Sequence, residues 1–207
     1  MKDEIVPKQI QERAARMISI LGLYSQPVGV RLVPGNGGRV PPGAERLSQH
    51  RYCQALMKAR RGRDVVLDKE GISCPAAAAA FGFHPLPKAL QSGRGLVGFG
   101  IVSDEVVGRK MFIDMPRLDP DKISMLHLFP LEKAEYVPDL VVVEDEVEKL
   151  MWIVLSYLHA KGGAASSVFD RSAASHLCGF DHNPFFGKPF ELWIWMLRVS
   201  GCHGYWK

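Results

Sequence analysis

The chain has 207 residues, 47% of them hydrophobic and 23% charged, a balance that excludes a disordered or fibrous protein and supplies a core without help from metal or disulfides. Its 26 Lys and Arg against 22 Asp and Glu leave a net charge of +4, too small to imply nucleic acid or an acidic membrane unless the positive charges cluster. Met1-Lys2-Asp3-Glu4 opens a polar segment unlike a secretory signal, and apolar runs such as residues 95–102 fall far short of the ~20 needed to span a bilayer, so the expectation is a cytoplasmic protein with no membrane partner and reduced thiols.

In chain order, Ile10, Ala14, Met17, Ile18 and Leu21 recur at helical spacing and predict a helix closed by Gly22, lying as a lid on a sheet. Alternating Val28, Val30 and Leu32 predict a strand. Residues 34–43, rich in Gly and Pro, follow it as a flap that lacks the Gly-Lys-Ser/Thr ending of a phosphate-binding loop. Residues 44–61 read as one helix with Ser48, Tyr52, Ala55, Leu56 and Ala59 on its stripe, Cys53 at the stripe's edge and Gly62 as its stop. A short strand at 64–68 and a turn at Lys69-Glu70-Gly71 lead to Cys74, which stands at the start of an alanine-rich helix whose first position is Pro75.

Further on, 96–102 reads as a strand, Asp104 to Arg109 as a polar excursion, and 125–129 and 140–143 as short strands. Val147, Leu150, Met151, Val154 and Leu158 restore helical spacing up to Gly162-Gly163. A short helix at 172–177, an irregular stretch at 181–184 and an aromatic run at 190–197 complete the chain. With no internal repeat and no linker, the pattern predicts a single α+β domain over 1–207, a mixed sheet carrying helices on at least one face.

The chemistry-bearing residues are Cys53, Cys74, Cys178 and Cys202. They form no Cys-x-x-Cys knuckle, and a free cysteine packs well as a small buried hydrophobe, so spacing alone is a weak metal signal. Context strengthens it. Cys74 precedes proline at a helix start, where the helix dipole and free N–H groups favour a thiolate. Cys178 is followed by Gly179, and Cys202 sits between Gly201 and His203-Gly204, glycines that let backbone approach a bulky inorganic core. Four thiolates suit tetrahedral zinc or an iron–sulfur cluster, with His176, His182 and His203 as minor candidates for ligands or hydrogen-bond donors. A thiol enzyme using Cys74 alone is the competing reading.

The residues also carry a resemblance. Pro27-Val28-Gly29-Val30, Arg51-Tyr52-Cys53-Gln54-Ala55-Leu56, Cys74-Pro75 with Phe81-Gly82, Pro130-Leu131, Pro138-Asp139-Leu140-Val141-Val142, Cys178 and Gly201-Cys202-His203-Gly204 together resemble the prokaryotic domain-of-unknown-function family 169 over nearly the whole chain. The resemblance implies kinship and a recurrent cysteine set rather than a reaction. Similar proteins usually continue beyond the Gly-Cys segment, often with an arginine soon after, whereas this sequence ends at Tyr205-Trp206-Lys207.

Lys58, Arg60, Arg61 and Arg63, with Arg46 and Arg51 upstream, form the densest basic stretch, better read as a solvated helix end than as a nucleic-acid surface; Glu144-Asp145-Glu146 compensates elsewhere. Arg51 stands apart because it neighbours Cys53 and can present a fixed positive charge to an anionic cluster or substrate. Trp193, Trp195 and Trp206 with Phe185, Phe186 and Phe190 can enclose a planar ligand, or serve as core or subunit contact. The resulting expectation is a metal-binding, iron–sulfur protein ligated by the four cysteines. Arg51 and the flap border its pocket, a small ligand or redox protein is its partner, zinc is the alternative cofactor, and a basic nucleic-acid adaptor is the remotest reading.

Overall fold

Along β4 (Ile123–Pro130), Leu126 and Leu128 face one side of a sheet while Phe129 faces the other, and each side meets its own helices. The computed structural model describes residues 7–163 except 36, 37, 114 and 116. Beside β4 lie β1 (Val28–Pro34), then β5 (Leu140–Val142), and on the other flank β3 (Val65–Asp68) and β2 (Glu45–Arg46), in the order β2-β3-β4-β1-β5. All neighbours are antiparallel except β2 and β3, whose parallel register pairs Glu45 with Val65 and Arg46 with Val66. This is an α+β architecture with a mixed five-stranded sheet.

On the first face, Val28, Val30, Val65, Leu67, Leu126 and Leu128 pack against α2 (Tyr52–Arg60) and the alanines of α3 (Pro75–Ala80). Burying each such aliphatic side chain stabilises the fold by about 1.5–3 kcal/mol. Small alanines let α3 approach closely, and the Tyr52 ring stacks at a tilt on Phe81, 5.2 Å between centroids. On the second face, Ile10 and Ala14 of α1 (Pro7–Leu21) and Leu150 and Ile153 of α7 (Val147–Lys161) cover Phe129, Val141 and Val143. Helices therefore cover both faces, and α1 is the expected lid, ended by Gly22 at φ +58°. Asp145 fastens α7 to the α1–β1 connection: its carboxylate accepts from the Tyr24 and Glu146 N–H groups at 2.7 and 2.8 Å and pairs with Lys149 at 3.0 Å.

Two expectations change. Residues 44–61 are not one helix: Glu45 and Arg46 pair with β3, Gln49 adopts a left-handed φ of +57°, and the helix starts only at Tyr52. The apolar run 96–102, expected as a strand, is instead the end of α5 (Arg94–Gly98) and the irregular turn after it; α5 packs with α4 (Lys88–Gln91) and α6 (Glu105–Ile113), which takes in most of the polar excursion. The glycines explain it. A Cβ on Gly108 would press on the backbone of Gly93, and one on Gly93 would strike the Glu105 carbonyl, so bare backbones meet where a strand pattern of Val and Ile had suggested pairing. The readings at 172–177 and 181–184 and the aromatic run 190–197 lie outside the described residues.

Candidate metal centre

Cys53 and Cys74 are 21 positions apart in sequence, yet the backbone brings them to two neighbouring helix starts, close enough for the charge of Cys74 to act on Cys53. Beyond the β2–β3 pair, the parallel arrangement persists as a lone bridge between His50 and Ile72: the His50 N–H donates to Gly71 O and the Ser73 N–H to His50 O, both at 2.9 Å. Two chain segments thus run in the same direction and turn into helices together. Arg51 is the N-cap of α2, with Cys53 two residues in; Cys74 is the N-cap of α3, with Pro75 in the first turn as expected. The Arg51 N–H donates to Gln54 Oε1 at 2.8 Å, half of a capping arrangement that fixes where α2 starts.

The intervening turn is set by Asp68. Its Oδ1 accepts from the Glu70 and Gly71 N–H groups at 3.1 and 2.7 Å, and its Oδ2 from Arg46 at 2.6 Å. A Cβ at Gly71 would collide with the Leu47 carbonyl oxygen, so only glycine lets the second segment lie this close to the first. These positioning residues were missed in the sequence, because an Asp-x-x-Gly turn looks like any other until its partner strand is known.

Both thiols are partly buried and free of disulfides. Burial pushes the Cys53 thiol up, and the charge of the neighbouring Cys74 pushes it further; N–H groups of Gln54 and Cys53 and the Arg51 guanidinium oppose them without prevailing. Cys53 therefore holds its proton more firmly than an ordinary thiol, and a cation entering the site must displace it. Arg51 is exposed and, among the described residues, makes no ion pair, so its charge is available to an anion beside the two thiols. Cys178 and Cys202, together with His176, His182 and His203, lie outside the described residues. Among the described residues no cluster of three or more His, Cys, Asp or Glu is placed to hold a metal ion.

The basic stretch is largely neutralised. Lys58 and Arg63 both bind Glu45, at 2.8 and 3.0 Å, and hold its carboxyl below the usual range; Arg60 binds Glu144 and Arg46 binds Asp68, each at 2.6 Å. Described residues of the flap are tied to β1 and β4: the Arg31 guanidinium donates to Arg39 O at 2.9 Å and Ser124 Oγ to Pro34 O at 3.2 Å. A pair not anticipated from the sequence is His127, 1% exposed in β4, whose Nε2 lies 2.6 Å from Asp64 Oδ1. No helix among the described residues is long and apolar enough to cross a membrane.

A family model described as uncharacterised ArCR, the domain-of-unknown-function family 169, matches residues 16–179. The chain belongs to this family. A relative, an uncharacterised protein of Methanocaldococcus jannaschii, is 27% identical over 175 residues, covering 82% of this chain and 72% of its own. No solved structure matches. The family match encloses Arg51, Cys53, Cys74 and Cys178, and ends before Cys202.

Proposed function

We propose that this member of the family is a cytoplasmic metal-binding protein in which Cys53, Cys74, Cys178 and Cys202 ligate one centre, an iron–sulfur cluster, in a redox or small-ligand-binding role. The observation that carries the reading is the hydrogen-bonded ribbon around the His50–Ile72 bridge, which sets two remote cysteines together at the starts of two helices. N–H groups at a helix start stabilise thiolates and donate to cluster sulfur, and the Arg51 guanidinium offsets the negative charge of a thiolate-ligated centre. Two adjacent thiols supply half of a tetrathiolate set, and Cys178 and Cys202 supply the rest of the proposal. Tetrahedral zinc suits the same donors and is the alternative cofactor.

The test is purification of the full chain under exclusion of oxygen, with iron, acid-labile sulfide and zinc determined together. A coloured protein containing iron and sulfide, and losing both on Cys→Ser replacement at any of the four positions, is the expected result. Zinc without sulfide, lost in the same four variants, keeps the centre and changes its metal. A colourless, metal-free protein inactivated by alkylation of Cys74 overturns the reading in favour of a thiol enzyme.

A further inference from the structure

Among the residues of α7, Leu150 and Ile153 are the ones that join the apolar cluster against the sheet. At about 100° of turn per residue, Val154, Val147, Leu158, Met151 and Leu155 follow one another round the helix beside those two, as one apolar stripe. None of the five belongs to either cluster that covers the sheet. Val147 is 56% exposed, Met151 and Leu155 are 43% exposed each, and Trp152, farther round the same side, is 53% exposed. Single exposed apolar side chains are ordinary. A continuous strip along about three turns of one helix is different, because contiguous apolar surface of this kind marks a place where something else packs.

The occupant follows from where the described chain stops. It stops at Gly163, two residues after α7 ends at Lys161, so every later residue is attached at the end of this same helix. Residues 190–197, Phe-Glu-Leu-Trp-Ile-Trp-Met-Leu, are apolar at all positions but Glu191, a composition that water disfavours leaving exposed. The 26 residues between Gly163 and Phe190 can extend over ~85 Å, several times the ~22 Å length of α7, so reach does not limit the return. Attachment within one chain also supplies the run at an effective concentration of order 1 mM, against which a second copy at ordinary dilution competes poorly. We propose that the apolar stripe of α7 is the docking surface for the aromatic run 190–197 of the same chain. The stripe contains none of the cysteines of the proposed metal centre, so its test is read independently of metal content.

The experiment places a photo-crosslinking side chain on the stripe of the full chain, Leu155→p-benzoylphenylalanine, with Ser156→p-benzoylphenylalanine on the polar side of α7 as the control, and maps the products by mass spectrometry. A crosslink within one chain from position 155 to the peptide that carries residues 190–197, absent or several times weaker from position 156, is expected. A second measurement follows chymotrypsin cleavage at Trp193 and Trp195: Met151→Asp combined with Leu155→Asp should accelerate it at least about tenfold, because undocking frees the run, whereas Ser156→Asp should leave it unchanged. The substituted side chains are exposed, so the variants should keep the parent's fold, checked by circular dichroism. The proposal is overturned if the crosslinks from position 155 join only two separate chains, which would make the stripe an interface between copies, if they reach only other peptides or none, if position 156 gives the same crosslink equally, or if the paired Asp substitutions leave the cleavage rate unchanged.

Discussion

Cys53 is the residue on which the proposed chemistry turns, because its proton must leave before sulfur can ligate. Burial and the adjacent Cys74 charge raise its pKa, while Arg51 works the other way. In metal-free protein its alkylation by iodoacetamide, followed by mass spectrometry, should therefore keep accelerating with pH beyond the range of an ordinary thiol. Cys74→Ser should move the profile to lower pH and Arg51→Gln to higher pH; unmoved profiles would mean that neither charge reaches the sulfur. The two cysteines were unequally legible. Cys74 announces itself through Pro75 and the alanines behind it. Cys53 reads as the edge of a longer helix, since nothing local marks Gln49 as the left-handed residue that ends β2's loop and lets α2 begin at Tyr52. Arg51 was singled out by adjacency to Cys53 alone.

Among the elements, α7 and the α1–β1 connection depend on one buried acid. Burial alone would raise the Asp145 carboxyl, but the N–H groups of Glu146 and Tyr24 and the Lys149 ammonium outweigh it, leaving the pKa lowered. A lowered carboxyl contributes its full stability above the ordinary carboxylate range and loses it as the pH falls through its folded-state value. Asp145→Asn should thus cost about 1–3 kcal/mol near neutral pH, and its urea midpoint should converge on the parent's between about pH 5 and about pH 2. A constant gap would exclude the ionised carboxylate as the source. The helices α1 and α7 were readable because one face of each is buried and the other is not, and β1 and β4, covered on both sides, were readable as short runs rich in Val, Leu and Ile. The stretch at 94–98 was not, because its glycines serve a meeting of helix backbones that only the tertiary arrangement reveals.

For the whole molecule, the α+β class was legible from the mix of periodicities, whereas the strand order was not: the two-residue β2 carries no pattern of its own and exists through pairing with β3. The weak net charge was equally informative, since Glu45, Asp68 and Glu144 absorb most of the basic stretch that sequence alone leaves unpaired. The proposed centre, tying Cys53 and Cys74 to Cys178 and Cys202, would link distant parts of the chain. Stripping it with a chelator should lower the thermal midpoint by at least about 5 °C, and Cys53→Ser should abolish the difference between loaded and stripped protein; an unchanged midpoint in the parent would separate metal from folding. The Gly71–Leu47 contact and the Asp68 turn have one more consequence. Because main-chain contacts hold the two backbones that carry Cys53 and Cys74, rotation about the cysteine side chains is the adjustment left to this half of the proposed centre when ions of different radius are offered, and the ribbon from Glu45 to Pro75 could be grafted into an unrelated scaffold with its backbone spacing intact.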